Sequence, residues 1–222
     1  MRLLKHPPIV PLLVGLMALL AVLSACSSTA PASGDAAAYL ESGRQAQQAG
    51  DLAGAEKNLR QAIELNPNLA EAHFMLGNVL ADQGRFAEAA TEYETAVRLN
   101  PQNPDALSNL AVAYAHMGKW DDAITQLKKA IALQPNDAEL HYNLGSIYAQ
   151  TNRFQEALPE LEKARELNPE LAETYLALGY TYQGLGRNEE AIQALETFLA
   201  KSQDPQWRAT AEDLLNQLRG TP

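Results

Sequence analysis

Small and apolar residues return along the chain at a spacing of 34 without insertion, and self-similarity at such a period marks stacked supersecondary units. Pro recurs at Pro67, Pro101, Pro135 and Pro169, and placing it at position 32 starts successive copies at Ala36, Ala70, Pro104, Ala138 and Ala172. Position 8 is then Gly43, Gly77, Ala111, Gly145 and Gly179, and position 20 is Ala55, Ala89, Ala123, Ala157 and Ala191. Small residues at both places let two helices approach closely. Positions 4, 7, 8 and 11 fall within a narrow arc at helical spacing, which predicts a buried face. In the fourth copy they are His141, Leu144, Gly145 and Tyr148. Position 15 is Gly50, Gly84, Gly118, Asn152 and Gly186, between two amphipathic runs. A chain that turns back there needs a left-handed residue, and Asn is the usual substitute for Gly. Each copy therefore predicts helix, short turn, helix, then Pro.

Leu-Gly, an aromatic three residues on, Gly, a second aromatic, Ala and Pro in this order resemble the tetratricopeptide repeat family over residues 36 to about 205. The resemblance implies an all-α fold, an α-solenoid in which five antiparallel helix pairs form a right-handed superhelix. Its repeats would be 36–69, 70–103, 104–137, 138–171 and 172–205. Departures fall mostly at the ends, where outer repeats face solvent. Ser42 and Ala46 make the first copy more polar, and in the last Phe198 replaces a small residue and Gln203 replaces Pro. Asp204-Pro205 then gives an N-cap and a Pro at the first helical position. Trp207, Ala211, Leu214, Leu215 and Leu218 follow at helix spacing, which predicts a capping helix and tail over 206–222. Pro159, early in its helix, predicts a mild irregularity rather than a break.

Residues 1–25 have the form of a secretory signal, with Arg2 and Lys5, an uncharged apolar stretch from Ile9 to Leu23, and a small-residue end. Leu23-Ser24-Ala25-Cys26 resembles the lipobox of bacterial lipoproteins, whose Cys becomes the acylated first residue. That resemblance makes Cys26 the lipidation site, 26–35 a flexible tether, and the chain an exported lipoprotein on the outer face of the plasma membrane or on the outer membrane. An uncleaved membrane anchor is the alternative, disfavoured by Pro7, Pro8, Pro11 and Gly15.

Composition narrows the chemistry. In 222 residues, 17 Lys and Arg stand against 27 Asp and Glu, and no basic run is dense enough for phosphate recognition, so nucleic acid is not an expected partner. The single Cys forms neither an internal disulfide nor a Cys-rich zinc site. His73 and His141 share packing position 4 with no second ligand at metal spacing, and His116 is expected at the surface. Asp121-Asp122 and Glu189-Glu190 open second helices, where negative charge favours the helix N-terminus without any acid–base role. No nucleophile elbow, phosphate loop or Cys/His pair is present. The expectation is no catalytic site, metal or cofactor.

What remains is a binding surface. Positions 2, 5, 9, 12 and 13 of the first helices lie away from the buried arc. In tetratricopeptide proteins they line the concave groove that takes peptides or helices, so the resemblance places a partner-binding groove here. The candidate residues are Arg44, Phe74, Asn78, Ser108, Val112, Tyr142, Ser146, Leu176 and Tyr180, with Gln48, Glu71, Asp82, Asp105, His116, Glu139, Gln150, Glu173 and Gln183 on the same stripe. Phe74, Tyr142 and Tyr180 are expected to be exposed, either as aromatic anchors for a partner or with their ring edges packed between repeats. Arg44 and Asn78 alone are too few to grip a C-terminal carboxylate. The resulting expectation is a noncatalytic, lipid-anchored scaffold binding another envelope protein, in a secretion, pilus or cell-wall complex. A self-associating structural lipoprotein is the alternative.

Overall fold

The computed structural model describes residues 35–220, so the signal segment and Cys26 lie outside the described residues. Those described form eleven helices: α1 (Ala36–Gln48), α2 (Leu52–Leu65), α3 (Ala70–Asp82), α4 (Phe86–Leu99), α5 (Pro104–His116), α6 (Trp120–Leu133), α7 (Ala138–Gln150), α8 (Phe154–Leu167), α9 (Ala172–Gly184), α10 (Asn188–Lys201) and α11 (Pro205–Arg219). No strand occurs among them, and the fold is an all-α helical repeat. The chain divides into two compact units, one up to Gly118 holding α1–α5 and one from Lys119 holding α6–α11.

The turns form where the sequence predicts them. Gly50, Gly84, Gly118 and Gly186 have φ of 73° to 76°, and Asn152, the substitute, has φ 57°. After α1, the Gly50 amide donates to Gln47 O at 3.0 Å and the Asp51 amide to Ala46 O at 2.9 Å. This paired closure satisfies two carbonyls that the helix end would otherwise leave bare.

Within the hairpins α1–α2, α3–α4, α7–α8 and α9–α10, the Gly at position 8 seats a large residue from the second helix. A Cβ on Gly145 or Gly179 would stand 2.6 Å from Leu161 or Leu195 Cγ, and one on Gly77 would stand 2.5 Å from the Tyr93 ring. Leu59, Leu161 and Leu195 are fully enclosed at these contacts. In the first unit, hairpins α1–α2 and α3–α4 pack in sequence and α5 closes on α4 and α3. Their shared core contains Leu59, Leu76, Val79, Leu80 and Tyr93. In the second unit, α6 packs on α7, followed by hairpins α7–α8 and α9–α10, and then α11 on α10. Pro159 sits inside α8 with its ring exposed, and the helix runs through it unbroken.

The residue at position 4 pins the linker before its helix. His73 Nε2 lies 3.0 Å from Pro67 O, His141 Nε2 lies 3.1 Å from Pro135 O, and Tyr175 donates its hydroxyl to Pro169 O at 3.0 Å. A carbonyl only accepts, so both histidines carry the proton on Nε2. Nδ1 faces Glu92 in one case and Glu160 in the other, each at 2.7 Å. Each ring is thereby tied both to the linker before its helix and to the second helix of its hairpin.

Candidate binding face

In the first unit the stripe lies along α1, α3 and α5, which neighbour one another. Arg44 is not free for a partner, because its guanidinium bonds the Glu71 carboxylate on α3 and reaches Glu41 at 3.3 Å. A pair between side chains this exposed is weak and screened by salt, so a stronger anion could displace it.

Phe74 departs from expectation. It is half-buried, with its ring centroid 6.1 Å from that of Tyr93 and tilted by 48°. Tyr93 itself, only 2% exposed, extends from α4 and donates its hydroxyl to Asn78 Oδ1 at 2.8 Å. Asn109 Nδ2 donates to the same oxygen at 2.9 Å. Asn78 is thereby held by two neighbours from two other helices. Burial, the charge of Asp82 and proximity to the Asn109 amide act together on the Tyr93 phenol, with a net upward shift of its pKa dominated by burial. Ser108 and Val112 are half-buried on α5.

His116 also departs from expectation. Its ring stacks on Phe86, centroids 3.8 Å apart and planes 3° from parallel, and its Nε2 is buried without a hydrogen-bond partner. Burial holds its pKa below the ordinary imidazole value. Helix spacing alone places position 13 at the edge of the stripe, but the aromatic ring opening α4 encloses it.

In the second unit the stripe lies along α7 and α9. Tyr142 is half-buried rather than exposed, and burial pushes its phenol up to about 12. Ser146 lies near that phenol, yet Ser146 Oγ and Asn143 Nδ2 are buried without a well-formed hydrogen bond. Tyr180, also half-buried, meets Phe154 edge-on with centroids 5.6 Å apart. Gly184 permits this packing, since a Cβ there would collide with the Phe154 ring. Leu176 packs against the cluster of Leu195, Phe198, Ala211 and Leu215 rather than standing free.

The candidate residues thus sit on the first-helix faces of their units, with bodies engaged by neighbouring repeats and edges left to solvent. Tyr93 and Asn109 escaped the stripe rule. Tyr93 departs from Leu at its repeat position, which is the signal that could have found it. Among the described residues no group of three or more His, Cys, Asp or Glu could hold a metal ion.

Helix pairs repeating at this period with this face define a class. A family model for the cilia and flagella-associated protein 70 C-terminal domain matches residues 17–175, and a tetratricopeptide repeat model matches residues 148–218. The chain belongs to the tetratricopeptide repeat family. Members generally act through protein–protein contact rather than catalysis.

Solved structures agree on the fold. MamA is 26% identical with a TM-score of 0.69, the match covering 75% of this chain and 91% of that one. YrrB, a TPR protein with an unusual peptide-binding site, is 24% identical with a TM-score of 0.69, over 81% of this chain and 93% of its own. Pseudomonas aeruginosa pilF is 22% identical with a TM-score of 0.68, over 82% and 88% respectively. No curated protein sequence matches the chain.

Proposed function

We propose that the protein is a noncatalytic, lipid-anchored scaffold of the bacterial cell envelope that binds a segment of another protein on its first-helix faces. The observation that carries this reading is the stripe itself. Phe74, Tyr142 and Tyr180 present half-buried aromatic bodies among amides and carboxylates, the mixture that anchors a partner by a few rings and surrounds them with polar contacts. The peptide-binding site of YrrB supports a binding role, as an analogy.

The test is capture of the partner from membranes by the full chain and by two paired variants. Tyr142→Ala with Tyr180→Ala is expected to abolish capture, whereas Tyr142→Phe with Tyr180→Phe, which keeps the ring packing, is expected to retain it. Far-ultraviolet dichroism and a cooperative melt establish that both variants fold. Equal capture of the same protein by the Ala pair would place the contact elsewhere. A mass that rises with concentration in light scattering would instead favour the self-associating lipoprotein.

A further inference from the structure

Away from the first-helix stripe, the second unit departs from the repeat at one packing position. Position 28, near the end of each second helix, is Ile63, Val97, Ile131 and Leu199 in the other copies and Arg165 in the fourth. Ile63 and Val97 pack against the core of the first unit, and Leu199 against the cluster that α11 completes. Arg165 is exposed instead, and beside it a pocket of about 190 Å³ opens between α8, α9 and α10. Its lining includes Tyr175 and Tyr182 of α9 and Glu190, Gln193 and Thr197 of α10. A cation in the last turn of α8 also suits the helix dipole, but the dipole accounts for neither the pocket nor its aromatic walls.

Most polar groups at this pocket are committed within the protein. Tyr175 donates its hydroxyl to Pro169 O, and Tyr182 donates to Glu162 Oε1, both at 3.0 Å. Glu190 holds Arg187 at 2.8 Å, and the Thr197 hydroxyl donates to Gln193 O at 2.8 Å. Glu162, one turn before Arg165 on α8, is thus turned toward Tyr182, while Glu166 pairs with Lys163 at 3.1 Å. Arg165 and the side-chain amide of Gln193 form no hydrogen bond or ion pair among the described residues. The pocket therefore offers a guanidinium and an amide N–H beside two Tyr rings, with the neighbouring carboxylates already taken. Parallel N–H bonds from a guanidinium match the two oxygens of a carboxylate. A more open depression of about 560 Å³ runs over Pro159, Lys163 and Glu166 of α8 and shares Arg165 with the pocket. A small carboxylate needs only the pocket, whereas this continuous track suits a chain lying along α8 that drops one side chain into it.

We propose that Arg165 receives the carboxylate of a Glu carried on a segment of another protein, which lies along α8 and places the methylenes of that Glu against Tyr175 and Tyr182. Gln193 supplies the further N–H donor. None of these residues belongs to the first-helix stripe, so loss of one surface leaves the other.

The test uses the full chain in detergent and a bead library of nine-residue peptides, acetylated and amidated, randomised at every position. The wild-type chain is expected to enrich Glu over Gln at one position about tenfold, the range expected for a hydrogen-bonded charge. Arg165→Leu, which restores the aliphatic residue of the other copies, is expected to remove that preference and to melt no lower than the parent. Arg165→Gln, which removes the charge but keeps a polar stem, is expected to remove it as well, and Arg165→Glu to turn it toward Lys or Arg. Tyr142→Ala with Tyr180→Ala, on the stripe, is expected to leave the Glu preference intact. No acidic enrichment by the wild-type chain, or a Glu preference that survives both neutral substitutions of Arg165, overturns this inference and leaves the stripe reading standing. Calorimetric binding of glutarate that Arg165→Leu abolishes, without acidic enrichment in the library, would give the pocket to a small carboxylate and likewise overturn it.

Discussion

His116 shows how a side chain's environment is decided by a neighbour that is distant in sequence. Helix spacing put it at an edge, but Phe86 covers its face and leaves Nε2 buried without a partner. Protonation would place a charged, unpaired N–H in that position, so burial lowers the pKa from the ordinary value of 6.5. The sign follows from linkage. A depressed folded pKa contributes stability that is fully present above 6.5 and is lost as pH falls through the lower folded value, because the unfolded chain binds the proton first. The melting temperature of the parent is therefore expected to fall more between neutral and mildly acidic pH than that of His116→Gln, which cannot titrate. Parallel pH profiles for the two proteins would show that the stacked ring makes no such contribution.

Helix boundaries and turns were legible because each depends on residues a few positions apart. Gly50, Asn152 and their counterparts are forced by the backbone, and Asp204-Pro205 marks the start of α11, where Asp204 Oδ1 accepts from the Gln206 and Trp207 amides at 2.9 and 3.1 Å. The depth of Phe74, Tyr142 and Tyr180 was not legible, because it depends on rings and helices contributed by other parts of the repeat. Tyr93 was visible as a departure from Leu, but nothing local says that its hydroxyl crosses to Asn78.

Phe198 is the instructive case among the elements. Earlier copies have Ala62, Ala96, Ala130 and Ala164 at this position, whereas Phe198 is 1% exposed and packs with Ala211 and Leu215 of α11. The large residue on α10 is answered by a small one on α11. Arg208 ties the junction by donating to the carbonyls of Leu199 and Ser202, and Arg219 pairs with Glu196. The outward side of α11, with Glu212, Asp213, Asn216 and Gln217, is exposed and polar, as a terminal cap requires. Phe198→Ala is expected to cost about 3–5 kcal/mol by denaturant unfolding. Deleting residues 204–222 is expected to lower the melting temperature and promote association. A truncated chain that melts and sediments like the parent would show that α11 does not act as a cap.

For the molecule as a whole, attachment to a membrane must be argued separately from the fold. Among the described residues no helix is long and apolar enough to cross a membrane. The net charge of −10 also opposes adhesion of the repeats to anionic headgroups, since juxtamembrane attraction comes from Lys and Arg. If the chain is held at a membrane, the hold therefore falls to the N-terminal segment, outside the described residues. Cys26 is its chemically distinctive residue, being the sole thiol of the chain, and stable anchoring by acylation takes at least two signals. Acylation at Cys26, if Leu23-Ser24-Ala25-Cys26 acts as the lipobox it resembles, would supply that hold. Cys26→Ser is expected to leave an unprocessed precursor and to abolish incorporation of labelled fatty acid, with the repeats still folded by circular dichroism. Because Ser carries no thiol, no thioether can form, and the loss would be complete rather than partial. Processing and labelling equal to the parent's would end the lipoprotein reading while leaving the repeats and their binding face as described.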